Sequence, residues 1–297
     1  MDAETYAVLS QCNLPDMHLI TLEEFERNDT ELLQAKQNRS VVEYYFTCTP
    51  SLPLFILNHH PEVELITYLD ADLFFFADPV QLFAEMDGKS IAIIGHRFPA
   101  RLSHLEIYGI YNVGWLSFRR DETGLECLNW WRDLCLAWCY DRIEGDRCAD
   151  QKYLDRFPDK FGYEIVLQNK GANLSPWNID NYAINMRGNC IYIDDEPLVF
   201  YHFQGLKQIV PWVYDFGLWP YGVRMSKGMM NYIYIPYIQT LQKPLFGKSS
   251  LKTLRGCPVR QDMITQVKEH MRWWFMFLQG IVTRRFSLIV NGKVIMF

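Results

Sequence analysis

The chain has 297 residues, 49% of them hydrophobic and 22% charged. That is enough to bury a sizeable core as one large domain or a domain with an appendage, and too apolar for a disordered segment. A formal net charge of −6 argues against general nucleic-acid binding. The mean hides a gradient: residues 1–90 carry 16 acidic and 4 basic side chains, and residues 201–297 carry 3 acidic and 13 basic. A basic C-terminal third suits phosphates or an anionic membrane surface, or it packs on the acidic remainder. The eight cysteines include no C-x-x-C pair and no zinc spacing, so reduced thiols are expected. The opening residues show no charged-then-apolar leader, and no apolar run reaches the roughly 18 residues of a bilayer span. The expectation is a cytoplasmic protein, with peripheral contact on the inner face of the membrane through its basic third.

In chain order, residues 3–11 read as a helix and residues 17–25 as a short strand feeding an acidic turn. Over residues 41–58 apolar side chains recur at helical spacing, with Pro50 and Pro53 expected to kink or divide the helix. ELITYLDADLFFF is a buried strand closing on acidic residues, and SIAIIGHRF and YNVGWLSFR are two more. DETGLECLNWWRDLCLAWCYDR is an amphipathic helix opened by acidic residues, as a helix N-terminus prefers. CADQKYLDRF starts a further helix, and YEIVLQ and CIYIDDEPLVFYHF supply short strands. Strands alternating with helices predict an α/β architecture, a mostly parallel sheet flanked by helices. Ligands in such sheets gather beyond the carboxyl ends of the strands.

After His202 the sequence turns aromatic. MMNYIYIPYIQTLQ reads as a helix broken near Pro236. The apolar run over residues 273–282, flanked by Lys268, Arg272, Arg284 and Arg285, reads as a helix lying in a membrane interface or docked on the protein. The expected division is a catalytic domain over 1–212 and a helical, aromatic and basic extension over 213–297.

Asp70-Ala71-Asp72 follows the apolar run Leu65-Ile66-Thr67-Tyr68-Leu69 directly. Two carboxylates at i and i+2 of a strand point the same way. At the open end of a buried strand they are costly unless something cationic compensates them. A divalent metal does this, because Mg²⁺ and Mn²⁺ take oxygen ligands and accept substrate phosphates in their remaining positions. Acidic pairs also cap turns, so the context of the buried strand and the following LFFFADP matters.

ITYLDADLFFFADPVQLF resembles the metal-binding strand of nucleotide-sugar glycosyltransferases of the GT-A, Rossmann-like fold, especially the retaining family eight group. YNVGWLSFR is similar to that family's strand with Asn, a small residue and Gly. ADQKYLDRF resembles its Asp-Gln-x-x-Leu helix start, and YHFQGLKQIVPW its His-x-x-Gly element with a nearby Lys and Pro-Trp. The four elements stand in the family's order over roughly residues 65 to 212.

The resemblance implies that Asp70, Asp72 and His202 bind Mn²⁺ or Mg²⁺ bridging the donor diphosphate. It implies donor-sugar contacts from Asn112 and Gly114, sugar hydroxyls held by Asp150, and Gln151 near the anomeric carbon. Gly205 belongs to the donor-binding element, and Lys207 would neutralise the leaving diphosphate, although it stands five residues after His202 where the family usually has six. Two further segments suit ligands on their residues alone. Trp177 and Asn178 offer an aromatic face with an adjacent amide for the acceptor, or a Pro-Trp turn plugging the core. His96, Arg97 and Arg101, and separately Arg39, suit an anionic ligand. Ordinary structural roles are open to several of these: Asp150 as an N-cap, Asn112 at a strand end, Lys207 on the surface.

The implied activity is metal-dependent transfer of a sugar from a nucleotide-diphospho-sugar to a glycan or glycolipid acceptor, with retention, as in polysaccharide biosynthesis. The competing expectations are a non-catalytic glycan-binding or scaffold protein on the same fold, and a phosphohydrolase, which Leu73 after the second Asp fits poorly. MDAETYAVL resembles the segment just after the family's first strand-helix unit, so the expectation is an internal start or a shortened relative.

Overall fold

The computed structural model describes residues 1–12, 14–162, 164–210, 213–243, 286–290 and 293–296. The chain divides into two units, Met1–His202 and Phe203–Phe297.

The first unit opens with α1 (Ala3–Leu9), a 3-10 turn Ser10–Cys12, α2 (Leu22–Glu26), α3 (Thr30–Lys36) and α4 (Val41–His59). Asp2, Thr21, Asp29 and Ser40 cap these four helices through side-chain oxygens. Residues 17–20 join no strand, against the expectation for 17–25. Thr21 accepts from the Glu24 N–H at 3.0 Å, and this cap turns the following apolar residues into a helix.

Pro50 and Pro53 do not divide α4, which runs unbroken for 19 residues. Each proline removes one helical hydrogen bond and costs about 3 kcal/mol in a helix interior. Tyr44, Leu54, Leu57 and both prolines are buried along α4, and each large apolar side chain so buried returns about 1.5–3 kcal/mol. Burial of that face outweighs the broken ladder.

Next come β1 (Leu65–Leu69), β2 (Leu73–Phe75), α5 (Val80–Met86), β3 (Ile91–Gly95), a 3-10 segment Ala100–Tyr108, β4 (Tyr111–Arg119) and α6 (Glu122–Ala137). A 3-10 segment Gln151–Arg156 leads into α7 (Phe157–Phe161), then β5 (Glu164–Leu167), β6 (Ile184–Arg187), β7 (Cys190–Ile193), β8 (Glu196–Pro197) and β9 (Phe200–His202). The main sheet has the order β1-β4-β3-β5.

It is mixed, not mostly parallel: β4 runs antiparallel to both β1 and β3, and only β3 and β5 are parallel. The physical reason lies in the connections. Between β3 and β4 there is a 3-10 segment and no crossover helix, so the chain returns beside itself in the opposite sense. The sequence could not report this, because β4 is buried on both faces and shows the same unbroken apolar run as a parallel strand.

Both faces of the sheet are covered. Ile91, Ile93, Leu116 and Phe118 pack with Leu128, Trp131 and Cys135 of α6. Ala92, Ile94 and Trp115 pack with Leu82 and Met86 of α5 and with Val199 and Phe200. The described cysteines are all free thiols.

In the second unit, β10 (Lys207–Val210), β11 (Val213–Asp215), β12 (Phe286–Val290) and β13 (Lys293–Met296) form an antiparallel sheet in that order. A π-helical stretch Met229–Tyr234 passes directly into α8 (Ile235–Leu241). Pro236 therefore marks the change from wide to normal helical turns and not a break, since it stands in the first turn of α8. The expected helical extension thus carries a sheet as well. Residues 273–282 lie outside the described residues. Among the described residues no helix is long and apolar enough to cross a membrane.

Candidate metal centre

β1 ends at Leu69, and Asp70, Ala71 and Asp72 form the turn into β2. The Asp70 N–H donates to the Gly114 carbonyl at 3.3 Å, which anchors the turn on β4. β2 pairs antiparallel with β9 in a register that sets Leu73 opposite His202. Asp72, one residue earlier, therefore lies beside the imidazole. His202 Nε2 is 3.0 Å from Asp72 Oδ1 and 3.8 Å from Asp70 Oδ2.

The His202 side chain is 2% exposed, against 28% for Asp70 and 43% for Asp72, so the ring is a buried floor under two accessible carboxylates. One ligand atom from each of the three residues lies within 4.8 Å of the others. Two carboxylate oxygens and an imidazole nitrogen make a donor set that could hold a metal ion.

The two aspartates differ electrostatically. Burial raises the Asp70 carboxyl above its ordinary range, in spite of His202 and a hydrogen bond of 3.0 Å from the Tyr68 hydroxyl. Burial pushes Asp72 the same way, but the hydrogen bond and charge of His202 prevail and its carboxyl is lowered. Nearby, Asp150 is 4% exposed, and burial together with the Asp70 charge lifts its carboxyl to about 7. Its carbonyl accepts from Trp131 Nε1 at 2.9 Å, which ties it to α6.

Asn112 in β4 reaches this floor: its Oδ1 lies 3.2 Å from His202 Nδ1 and its Nδ2 donates to Gln151 Oε1 at 3.3 Å. Gln151 also donates from Nε2 to the Tyr108 carbonyl at 3.1 Å. Gly114 lies beneath the Asn112–His202 contact. Trp177 is buried edge-on to His96 and His202, with ring centroids 5.2 and 5.1 Å away. Asn178 is fully buried, accepting from the Ser175 N–H and donating to the carbonyls of His96 and Asn173.

Arg97 donates to the carbonyls of Asn169 and Ala172, Arg101 pairs with Asp180 at 2.6 Å, and Arg39 stacks on Tyr140. In the second unit Gly205 takes a positive φ of 79°, and exposed Lys207 pairs in register with Asp215. Sequence reasoning missed Tyr68, although its i, i+2 spacing from Asp70 on a strand was a usable signal.

The first unit is thus a mixed α/β scaffold carrying an Asp–Asp–His cluster that can hold a metal ion. The chain belongs to the family of two uncharacterized proteins of Bacillus subtilis (strain 168), YfnD and YfnF. It is 32% identical to YfnD over 247 residues, 82% of this chain and 78% of YfnD. It is 32% identical to YfnF over 215 residues, 70% of each. No family model matches the chain. Among solved structures it is similar to a glycosyltransferase involved in the glycosylation of the major capsid of PBCV-1. That match is 12% identical, covers 64% of this chain and 91% of that one, and has a TM-score of 0.38, a likeness too slight to argue from.

Proposed function

We propose that this chain is a metal-dependent glycosyltransferase. It would move a sugar from a nucleotide-diphospho-sugar to a glycan or glycolipid acceptor, with retention, as the resemblance to family eight implies. The observation that supports this best is the convergence of Asp70, Asp72 and His202 within 4.8 Å from segments far apart in the chain.

Asp70, Asp72 and His202 would hold the ion. When bound, it supplies positive charge against the departing diphosphate, as glycosyl transfer through a cationic sugar requires. Asp150 lies close enough to feel the Asp70 charge and would hold sugar hydroxyls. Gln151 is held at both ends by Asn112 and Tyr108. An amide so held is a poor nucleophile, which favours departure and return on one face of the sugar. The basic residues of 201–297 would draw the protein to an anionic membrane surface or substrate.

The test is turnover of a panel of nucleotide-diphospho-sugars with Mn²⁺ or Mg²⁺. Hydrolysis or transfer that requires the cation and falls at least roughly 10²–10³-fold in Asp72→Ala is expected. Cation-independent turnover, or an unchanged rate in that variant, refutes the reading.

A further inference from the structure

An asparagine amide offers four hydrogen-bonding positions, two lone pairs on Oδ1 and two N–H groups on Nδ2. Asn112 is 5% exposed and has partners for all four. Its Oδ1 accepts from the Gly114 N–H at 3.0 Å and faces His202 Nδ1 at 3.2 Å. Its Nδ2 faces His96 Nε2 at 3.3 Å and Gln151 Oε1 at 3.3 Å.

A backbone N–H can be accepted only by the oxygen, so Gly114 fixes which way the amide points. Two assignments follow. His202 Nδ1 faces an acceptor and must carry a proton, whatever its other nitrogen does. His96 Nε2 faces a donor and must be bare, while its Nδ1, 3.3 Å from the Ile110 carbonyl, must be the protonated nitrogen. Burial, which pushes the His96 imidazole down to about 3, keeps it in that neutral form.

Gly114 explains itself in the same arrangement. A Cβ there would stand 2.5 Å from Asn112 Oδ1 and 2.9 Å from His202 Nδ1. The Asn–His pair crosses the backbone where only a glycine leaves room.

We propose that Asn112 is a positioning residue which, oriented by Gly114 and His96, holds the proton of His202 on Nδ1 and so delivers Nε2 to the cation. The assignment rests on reading Asp70, Asp72 and His202 as a cation site. It gives Asn112 and Gly114 a different task from the donor-sugar contacts that the resemblance implies, because the amide has no position left for a sugar hydroxyl. A hydrogen bond to the second ring nitrogen of a metal-ligating histidine fixes its tautomer and orientation, and its loss typically costs 10–100-fold in metal affinity.

The test uses the full chain, with Mn²⁺ titrated by calorimetry. Nitrogen-15 spectra of the histidine rings are recorded with and without diamagnetic Mg²⁺, and His202 is assigned from the His202→Gln variant. In the wild type a slowly exchanging Nδ1–H of His202 is expected in both conditions. Asn112→Leu and Gly114→Ala should lose that resonance and bind Mn²⁺ about 10–100-fold more weakly. Asn112→Asp keeps an acceptor oxygen for the Nδ1 proton and should retain both resonance and affinity, at the cost of a lower melting temperature, because its second oxygen meets the bare His96 Nε2 and Gln151 Oε1. A purely structural role would lower the melting temperature of all three variants without moving the His202 signal.

A wild-type His202 with its proton on Nε2 alone overturns the proposal and needs no folded variant. Wild-type affinity in Asn112→Leu overturns it as well, and leaves the cation reading intact. A wild-type chain that binds no Mn²⁺ removes the cation reading and the proposal with it.

Discussion

Glu26 and the Asp70–Asp72 pair are both carboxylates drawn toward the interior, and they are balanced by different means. The Glu26 oxygens accept from Lys36 Nζ at 2.6 and 2.8 Å, and Oε1 accepts from the Tyr44 hydroxyl at 2.8 Å. Charge and hydrogen bonds close within the helices α2, α3 and α4. Among the described residues no lysine or arginine ion pair reaches Asp70 or Asp72; their ion-pair partner is His202, which they share. One cluster is complete in its own side chains, and the other sets two carboxylates around a single shared imidazole. The first is closed by its own side chains, and the second could hold a metal ion.

Exchanging the two clusters' properties by mutation tests that contrast. The largest effect is expected from Asp72→Ala, which should weaken Mn²⁺ binding and cation-dependent turnover at least roughly 10²–10³-fold. Its melting temperature without metal should fall modestly, because the buried His202 Nε2 loses its hydrogen-bond partner while Asp70 is relieved of a like charge. Calorimetry and thermal unfolding read the two outcomes separately.

His96 carries a pH prediction with a definite sign. Its folded value of about 3 lies below the ordinary 6.5. As the pH falls through that window the unfolded chain takes up the proton and the folded chain does not. Stability is therefore full above about 6.5 and declines toward 3, by an amount on the order of 5 kcal/mol. Urea unfolding across that range should show the decline, flattened in His96→Gln.

Cation binding should itself stabilise the fold. Free Mn²⁺ at 100 times its Kd adds about 2.7 kcal/mol, and Asp72→Ala should lose that response. The smallest effect is expected at Glu26→Ala, about 1–3 kcal/mol of stability, most of it from the buried Tyr44 hydroxyl left without its acceptor. Lys36 is 41% exposed and contributes little. Mn²⁺ affinity in this variant should match wild type. A shared response of the two clusters to either mutation would break the comparison.

What the sequence made legible follows from how each signal is encoded. β1, β3 and β4 announce themselves as apolar runs and α6 as a long amphipathic period, because burial imposes those patterns locally. The direction of β4 is not encoded this way, since a strand covered on both faces reads alike in either sense. β2 and β9 have three residues each, too few for a periodicity, yet their pairing brings His202 to Asp72. Only the resemblance pointed to that meeting.

His96 and Trp177 were harder still. A histidine after an apolar strand and a tryptophan in a Pro-Trp turn carry ligand-binding chemistry by residue type. Their burial beside His202 is decided by tertiary packing, which leaves no local trace. The continuity of α4 through Pro50 and Pro53 was hidden for the same reason: the local cost is visible and the offsetting burial is not.

The central claim is that a divalent cation completes Asp70, Asp72 and His202. A crystal of the full chain soaked in Mn²⁺ tests it by anomalous scattering. The account predicts one strong peak about 2 Å from an oxygen of each aspartate and from His202 Nε2. A saturated crystal with its peak elsewhere, or with none at these three side chains, contradicts it.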